Sequence, residues 1–147
     1  MAIWHEWPVI GHEWAVEHLT RAIAHGRMRH AHLVTGPARI GKTTLALAFA
    51  AALNCTGDPQ PCGVCRACTL LRRGAHPDLT IVQAEQEGGA LKIEQMRDLQ
   101  QTLSLRPYEA RYRVAILRRF DQANPAAANA LLTTLEEQQP NVVLILT

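Results

Sequence analysis

Apolar and polar residues follow two different periods along the chain, and the switches between them outline alternating strands and helices. Trp14 to Ile23 carries apolar residues at helical spacing and is followed by Gly26, a stop signal, so it predicts a first helix. Ala31 to Thr35 is short, apolar and bounded by Gly36 and Pro37, which suits a buried parallel strand. Thr44 to Leu53 (TLALAFAAAL) is rich in Ala and Leu on every side and predicts a helix buried over most of its surface. Leu79 to Val82 predicts a second strand after the Pro77-Asp78 turn. Ile93, Met96, Leu99 and Leu103 recur every three or four residues, which predicts a helix over Ile93 to Leu105 that Pro107 stops. Val114 to Leu117 predicts a third strand, Pro125 to Glu136 a helix with proline in its first turn, and Asn141 to Thr147 the start of a fourth strand. Strands alternating with helices imply an α/β fold, a parallel sheet with helices on both faces. A chain that stops on a parallel strand suggests that more of the domain follows downstream.

The sequence has 147 residues, 48% of them hydrophobic, enough for one domain with a real core. Its net charge of +2 lacks the strong basic excess of most nucleic-acid binders. No run of 18 apolar residues occurs, and Met1 to Pro8 does not read as a secretion signal, so a cytoplasmic protein is expected. Of the 15 basic residues two are lysine, Lys42 and Lys92.

Lys42 stands in the segment Gly36-Pro37-Ala38-Arg39-Ile40-Gly41-Lys42-Thr43, between a predicted strand and a predicted helix. That pattern in that context is a phosphate-binding loop. Its two glycines permit backbone torsions closed to other residues, so successive N–H groups curve around phosphate oxygens. The helix starting near Lys42 adds the positive end of its dipole. Lys42 is expected to reach the β- and γ-phosphates, the Thr43 hydroxyl to ligand Mg²⁺, and Thr44 to lie near the α-phosphate. The expected ligand is a purine nucleoside triphosphate, ATP first.

All four cysteines fall in one stretch, Cys55, Cys62, Cys65 and Cys68, separated by six, two and two residues. Four thiolates so spaced can close a tetrahedron around Zn²⁺, with turns supplied by Gly57, Pro59, Pro61 and Gly63. Such a site is closed and structural. Unliganded buried cysteines, or a redox pair at Cys65 and Cys68, are the alternatives. The seven histidines show no ligand pairing with the cysteines and read as surface or capping residues.

The order Val9-Ile10-Gly11-His12-Glu13, Arg29-His30-Ala31-His32-Leu33, phosphate loop and cysteine module resembles the AAA+ domain of bacterial clamp-loader subunits of DNA polymerase III. The run from Asn124-Pro125 to Glu136-Glu137 strengthens the resemblance, which covers nearly the whole chain. It implies a three-layer αβα P-loop NTPase over residues 1–147, incomplete at its C-terminus, with a zinc module inserted at about 55–74. It also implies that backbone around Val9 and Ile10 lines an adenine pocket. The implied partners are other loader subunits (gamma/tau and delta) and, through them, the sliding clamp and primer-template DNA. Lid and collar domains and the family's Ser-Arg-Cys arginine finger are expected beyond Thr147.

Two subunit types share these features, gamma/tau and delta prime. Leu91 to Leu99 and the Asn-Pro-Ala-Ala-Ala-Asn run look more like delta prime. In the family's ATPases the third strand ends in Asp-Glu, which hold the Mg²⁺ shell and orient the attacking water. Counted back from Asn124-Pro125, those positions here are Arg118 and Arg119. A guanidinium neither binds a cation nor accepts a proton, so magnesium organisation and water activation should fail. Asp121 lies past the strand and is a poor substitute. The resemblance therefore implies an ATP-binding, hydrolysis-deficient subunit with no catalytic residue of its own. An active motor of the gamma/tau type is the alternative.

Overall fold

The computed structural model describes residues 7, 9, 11–37, 39–57, 60–86, 88–137 and 141–147. In chain order the elements are α1 (Glu13–Ala24), β1 (Ala31–Leu33), α2 (Lys42–Asn54), α3 (Arg66–Arg72), β2 (Leu79–Val82), α4 (Ile93–Leu103), β3 (Arg113–Leu117), a 3-10 turn (Phe120–Gln122), α5 (Pro125–Glu136) and β4 (Val142–Leu146). They fall into two compact units, Met1–Arg29 with Gly36–Pro77, and His30–Thr35 with Asp78–Thr147.

In the first unit, α1 buries Ala15, Val16 and Leu19 on one side and leaves Trp14 exposed on the other. Gly26 ends it in the left-handed conformation (φ 63°), with its own N–H on the Ile23 carbonyl and the Arg27 N–H on Ala22. This pair of bonds uses up carbonyls that the last turn leaves unpaired, and glycine alone takes that backbone without penalty. Helix α2 is buried from Leu45 onward except at Leu47, as its unbroken Ala/Leu composition requires. The seven-residue helix α3 went unpredicted, because its pattern is too short for a helical period to emerge.

The second unit is a four-stranded sheet in the order β1-β4-β3-β2, every neighbouring pair parallel. Every residue of β3 and β4 is buried, so both faces of the two central strands are covered. Ala115, Leu117, Val142, Leu144 and Leu146 pack into one cluster with Met96, Leu99 and Leu103 of α4 and Ala127 and Leu131 of α5. Gln100 joins the two helices by donating to the Ala130 carbonyl and the Thr134 hydroxyl, both at 2.9 Å. Asn124 caps α5 by accepting the Ala127 N–H at 2.8 Å, with Pro125 at the first helical position as expected. The predicted strands over Ala31 to Thr35 and Asn141 to Thr147 are each trimmed, to three and five residues. The helix predicted to Leu105 ends at Leu103, two residues earlier.

Asp78, just before β2, is 1% exposed and charged. Its carboxylate accepts the backbone N–H groups of Tyr108, Glu109 and Ala110 at 2.6, 2.8 and 2.8 Å, and Arg113 stands 3.4 Å away. Arg113 also donates to the Arg106 carbonyl at 3.0 Å. One buried anion thus fastens the α4–β3 connection to the start of two strands. Burial alone would push the Asp78 carboxyl up, but the three N–H donors and the Arg113 guanidinium outweigh it and hold it below the ordinary value. A lowered folded-state pKa means that this stabilisation is complete above the unfolded carboxyl value and is lost as pH falls through the folded one. Asp78→Ala strands a buried guanidinium and three N–H groups, and is expected to cost about 3–5 kcal/mol in urea unfolding. Asp78→Asn should lose less stability than the wild type between pH 5 and pH 3 in thermal melts, and parallel acid curves would exclude this role.

Candidate nucleotide-binding loop and thiolate cluster

The glycine-rich loop lies between β1 and α2 in the chain, as its motif requires. Gly36, Arg39 and Gly41 all have positive φ (154°, 63° and 101°), so the chain reverses repeatedly over six residues. Successive N–H groups in such a bend form a concave anion receptor. Gly41 is the N-cap of α2, and Lys42 and Thr43 open the helix. No acidic residue stands in that first turn to compete with an anion for the helix N-terminus. The Lys42 ammonium folds back and donates to the Gly36 carbonyl at 2.9 Å, which places it across the mouth of the loop. Pro37, Arg39, Ile40 and Thr44 are exposed, while Gly41, Lys42 and Thr43 are half-buried. Ala38 lies outside the described residues, as does Ile10. Val9 is half-buried and its N–H donates to the Trp7 carbonyl at 2.8 Å.

The four cysteines converge. Their sulfurs all lie within 4.8 Å of one another, and those of Cys55 and Cys65 are 4.0 Å apart. Sulfurs about 2.3 Å from a central Zn²⁺ stand about 3.8 Å apart in a tetrahedron, so the donor set is only slightly wider than a closed site. Cys55 leaves the C-terminus of α2, Cys65 is the N-cap of α3, and Cys68 sits in its first turn. Gly57 makes the approach possible: a Cβ there would meet the Cys62 Cβ at 2.7 Å and its sulfur at 2.8 Å.

Backbone N–H groups point at the sulfurs as they do at thiolates. Gly57 and Cys62 donate to the Cys55 sulfur, both at 3.2 Å, Cys65 to Cys62 at 3.2 Å, and Cys68 to Cys65 at 3.4 Å. Burial by itself pushes the Cys65 thiol up, but the N–H groups of Cys68 and Thr56 and the neighbouring thiols bring it down to about 6. Cys62 is also lowered, first by the Val64 and Cys65 N–H groups. Burial pushes Cys55 and Cys68 up. The N–H groups thus ease ionisation of Cys62 and Cys65, and a cation bound among all four would draw protons from the sulfurs that still hold them. The residues fit a structural metal.

At the end of β3, Arg118 donates from Nη1 to the Gln83 side-chain oxygen at 2.9 Å, and its backbone N–H bonds to the Val82 carbonyl at 2.8 Å. Arg119 takes a left-handed backbone (φ 54°) and is exposed. Asp121 is exposed in the 3-10 turn. The histidines divide. His76 is 4% exposed, which corrects the surface assignment, and the His30 ring meets the Leu135 carbonyl at 3.0 Å. The His12 ring reaches the Ile40 carbonyl of the glycine-rich loop at 3.1 Å. No spacing in the sequence signals that contact, because 28 residues separate the partners.

The family model described as "DNA polymerase III, delta subunit" matches residues 11–147. The DNA polymerase III subunit gamma/tau of Mycobacterium bovis is 35% identical over 141 residues, covering 93% of this chain and 24% of that one. The DNA polymerase III subunit delta′ of Pseudomonas aeruginosa is 39% identical over 125 residues, covering 82% of this chain and 38% of its own length. The chain thus spans 24% to 38% of the length of these relatives. A crystal structure of a DNA polymerase III gamma subunit-related protein from Thermotoga maritima has the same fold (TM-score 0.56, 18% identity, 88% of this chain and 38% of that one). No helix among the described residues is long and apolar enough to cross a membrane. With the family match running over nearly all of its length, the chain belongs to the gamma/tau/delta′ family of DNA polymerase III clamp-loader subunits.

Proposed function

We propose that the chain binds ATP through Gly36 to Thr43 without hydrolysing it, as a delta prime-type clamp-loader subunit with an AAA+ three-layer fold. The observation that carries this reading is the pairing of a complete phosphate loop with Arg118-Arg119 at the end of β3. The loop supplies N–H donors, a helix N-terminus and a lysine, which together bind phosphate at little reorganisation cost. Two guanidiniums supply neither a ligand for Mg²⁺ nor a base for water, and Arg118 is already committed to Gln83. Bound nucleotide then stabilises the fold or an interface by mass action and is not consumed. Partners on this reading are gamma/tau and delta, with the sliding clamp and primer-template DNA reached through the assembly in the cytoplasm. The similarity to gamma/tau chains over 93% of this chain favours a second reading, an active motor.

Cys55, Cys62, Cys65 and Cys68 hold Zn²⁺ on the same proposal, and the ion replaces a hydrophobic core that so short a segment lacks. When bound, zinc supplies crosslinking and no chemistry.

Two measurements test these statements. Calorimetric titration should show ATP binding that Lys42→Ala abolishes, with phosphate release at background; turnover that Lys42→Ala removes would establish the motor reading instead. Metal analysis of the purified chain should find about one zinc per chain. Cys62→Ser with Cys65→Ser should release it and lower the melting temperature, whereas a melting temperature indifferent to chelators would rule out a structural metal.

A further inference from the structure

The His12 ring comes to the phosphate loop from outside it, and the stereochemistry of the peptide that it holds gives the contact a consequence. The Ile40 carbonyl only accepts, so the His12 Nε2 carries the proton in this 3.1 Å bond. The peptide between Ile40 and Gly41 is trans, which points the Ile40 carbonyl and the Gly41 N–H in opposite directions. Holding the carbonyl toward His12 therefore turns the Gly41 N–H to the side that His12 does not occupy. The next carbonyl along, that of Gly41, is committed to α2 by the Leu45 N–H at 2.9 Å. Both ends of the Gly41 backbone are thus fixed. The bond from Lys42 to the Gly36 carbonyl orients no donor in this way, because the following residue is Pro37, which has no N–H.

His12 is itself held firmly. It is half-buried and adopts a left-handed backbone (φ 58°, ψ 33°), and its carbonyl accepts the Ala15 and Val16 N–H groups at 3.0 and 3.1 Å. The ring therefore rides on the first turn of α1. We propose that His12 is a positioning residue for phosphate, clamping the Ile40 carbonyl so that the Gly41 N–H is aimed into the loop before any anion arrives. A preset donor costs nothing to reorient on binding, whereas a free peptide must be ordered by the ligand. This inference rests on the nucleotide reading of the loop.

The test compares two substitutions with the full chain. His12→Asn tolerates the left-handed backbone but is too short to reach Ile40; His12→Gln restores a donor of similar reach. Calorimetric titration with ATP and with inorganic pyrophosphate should show affinity about three- to tenfold weaker in His12→Asn, the size of one hydrogen bond, and largely restored in His12→Gln. Melting temperatures without ligand should match across the three proteins. Wild-type affinity in His12→Asn, or His12→Gln no better than His12→Asn, overturns the proposal. If the wild type binds neither ligand, the nucleotide reading fails, and the loop itself decides on His12. The carbonyl ¹³C resonance of Ile40 and the amide resonance of Gly41 should move in His12→Asn and return in His12→Gln; resonances unmoved by His12→Asn overturn the clamp.

Discussion

The parallel pairing of β3 with β4 is the constraint on which the second unit depends. The two strands run in register over five residue pairs, from Arg113 opposite Val142 to Leu117 opposite Leu146, and neither exposes a residue. Parallel neighbours cannot be joined by a hairpin, so every link between them is long enough to carry a helix or a folded loop. Those links bring α4 and α5 together on the sheet and leave the strand ends free for polar groups. The same requirement explains the length of the link from β1 to β2, which jumps from one edge of the sheet to the other. Into that link fall the glycine-rich loop, α2 and the cysteines.

Polar groups sit where the hydrophobic ladder leaves backbone to satisfy. Asp78 pairs a buried charge with three backbone N–H groups of the irregular connection between α4 and β3. The cysteine segment solves a different problem. It is too short to bury a core, and its N–H groups turn toward sulfur, a soft anion, instead of toward carbonyls. Both arrangements turn backbone N–H groups toward side chains that can carry negative charge: three onto one carboxylate at Asp78, and four shared among three sulfurs in the cysteine segment.

The glycine-rich loop is built differently, from positive-φ residues set just before a helix N-terminus. Gly36, Arg39 and Gly41 have positive φ, Gly41 caps α2, and Lys42 donates back to the Gly36 carbonyl. At the end of β3 the chemistry runs the other way, with two cations in succession and Gln83 as the partner of the first.

Much of this was legible in the residues alone. The strand periods, the proline opening α5, the glycine closing α1, the loop motif and the cysteine spacing all act locally, through torsions and neighbouring hydrogen bonds that a short segment specifies by itself. Tertiary structure decided what depends on distant partners. It set the strand order β1-β4-β3-β2, since a parallel strand carries no mark of its neighbour. It buried Asp78 against residues thirty or more positions away and brought the His12 ring to Ile40 across 28. Local chemistry names the groups that can bind phosphate or metal; only the fold determines which backbone each is close enough to hold.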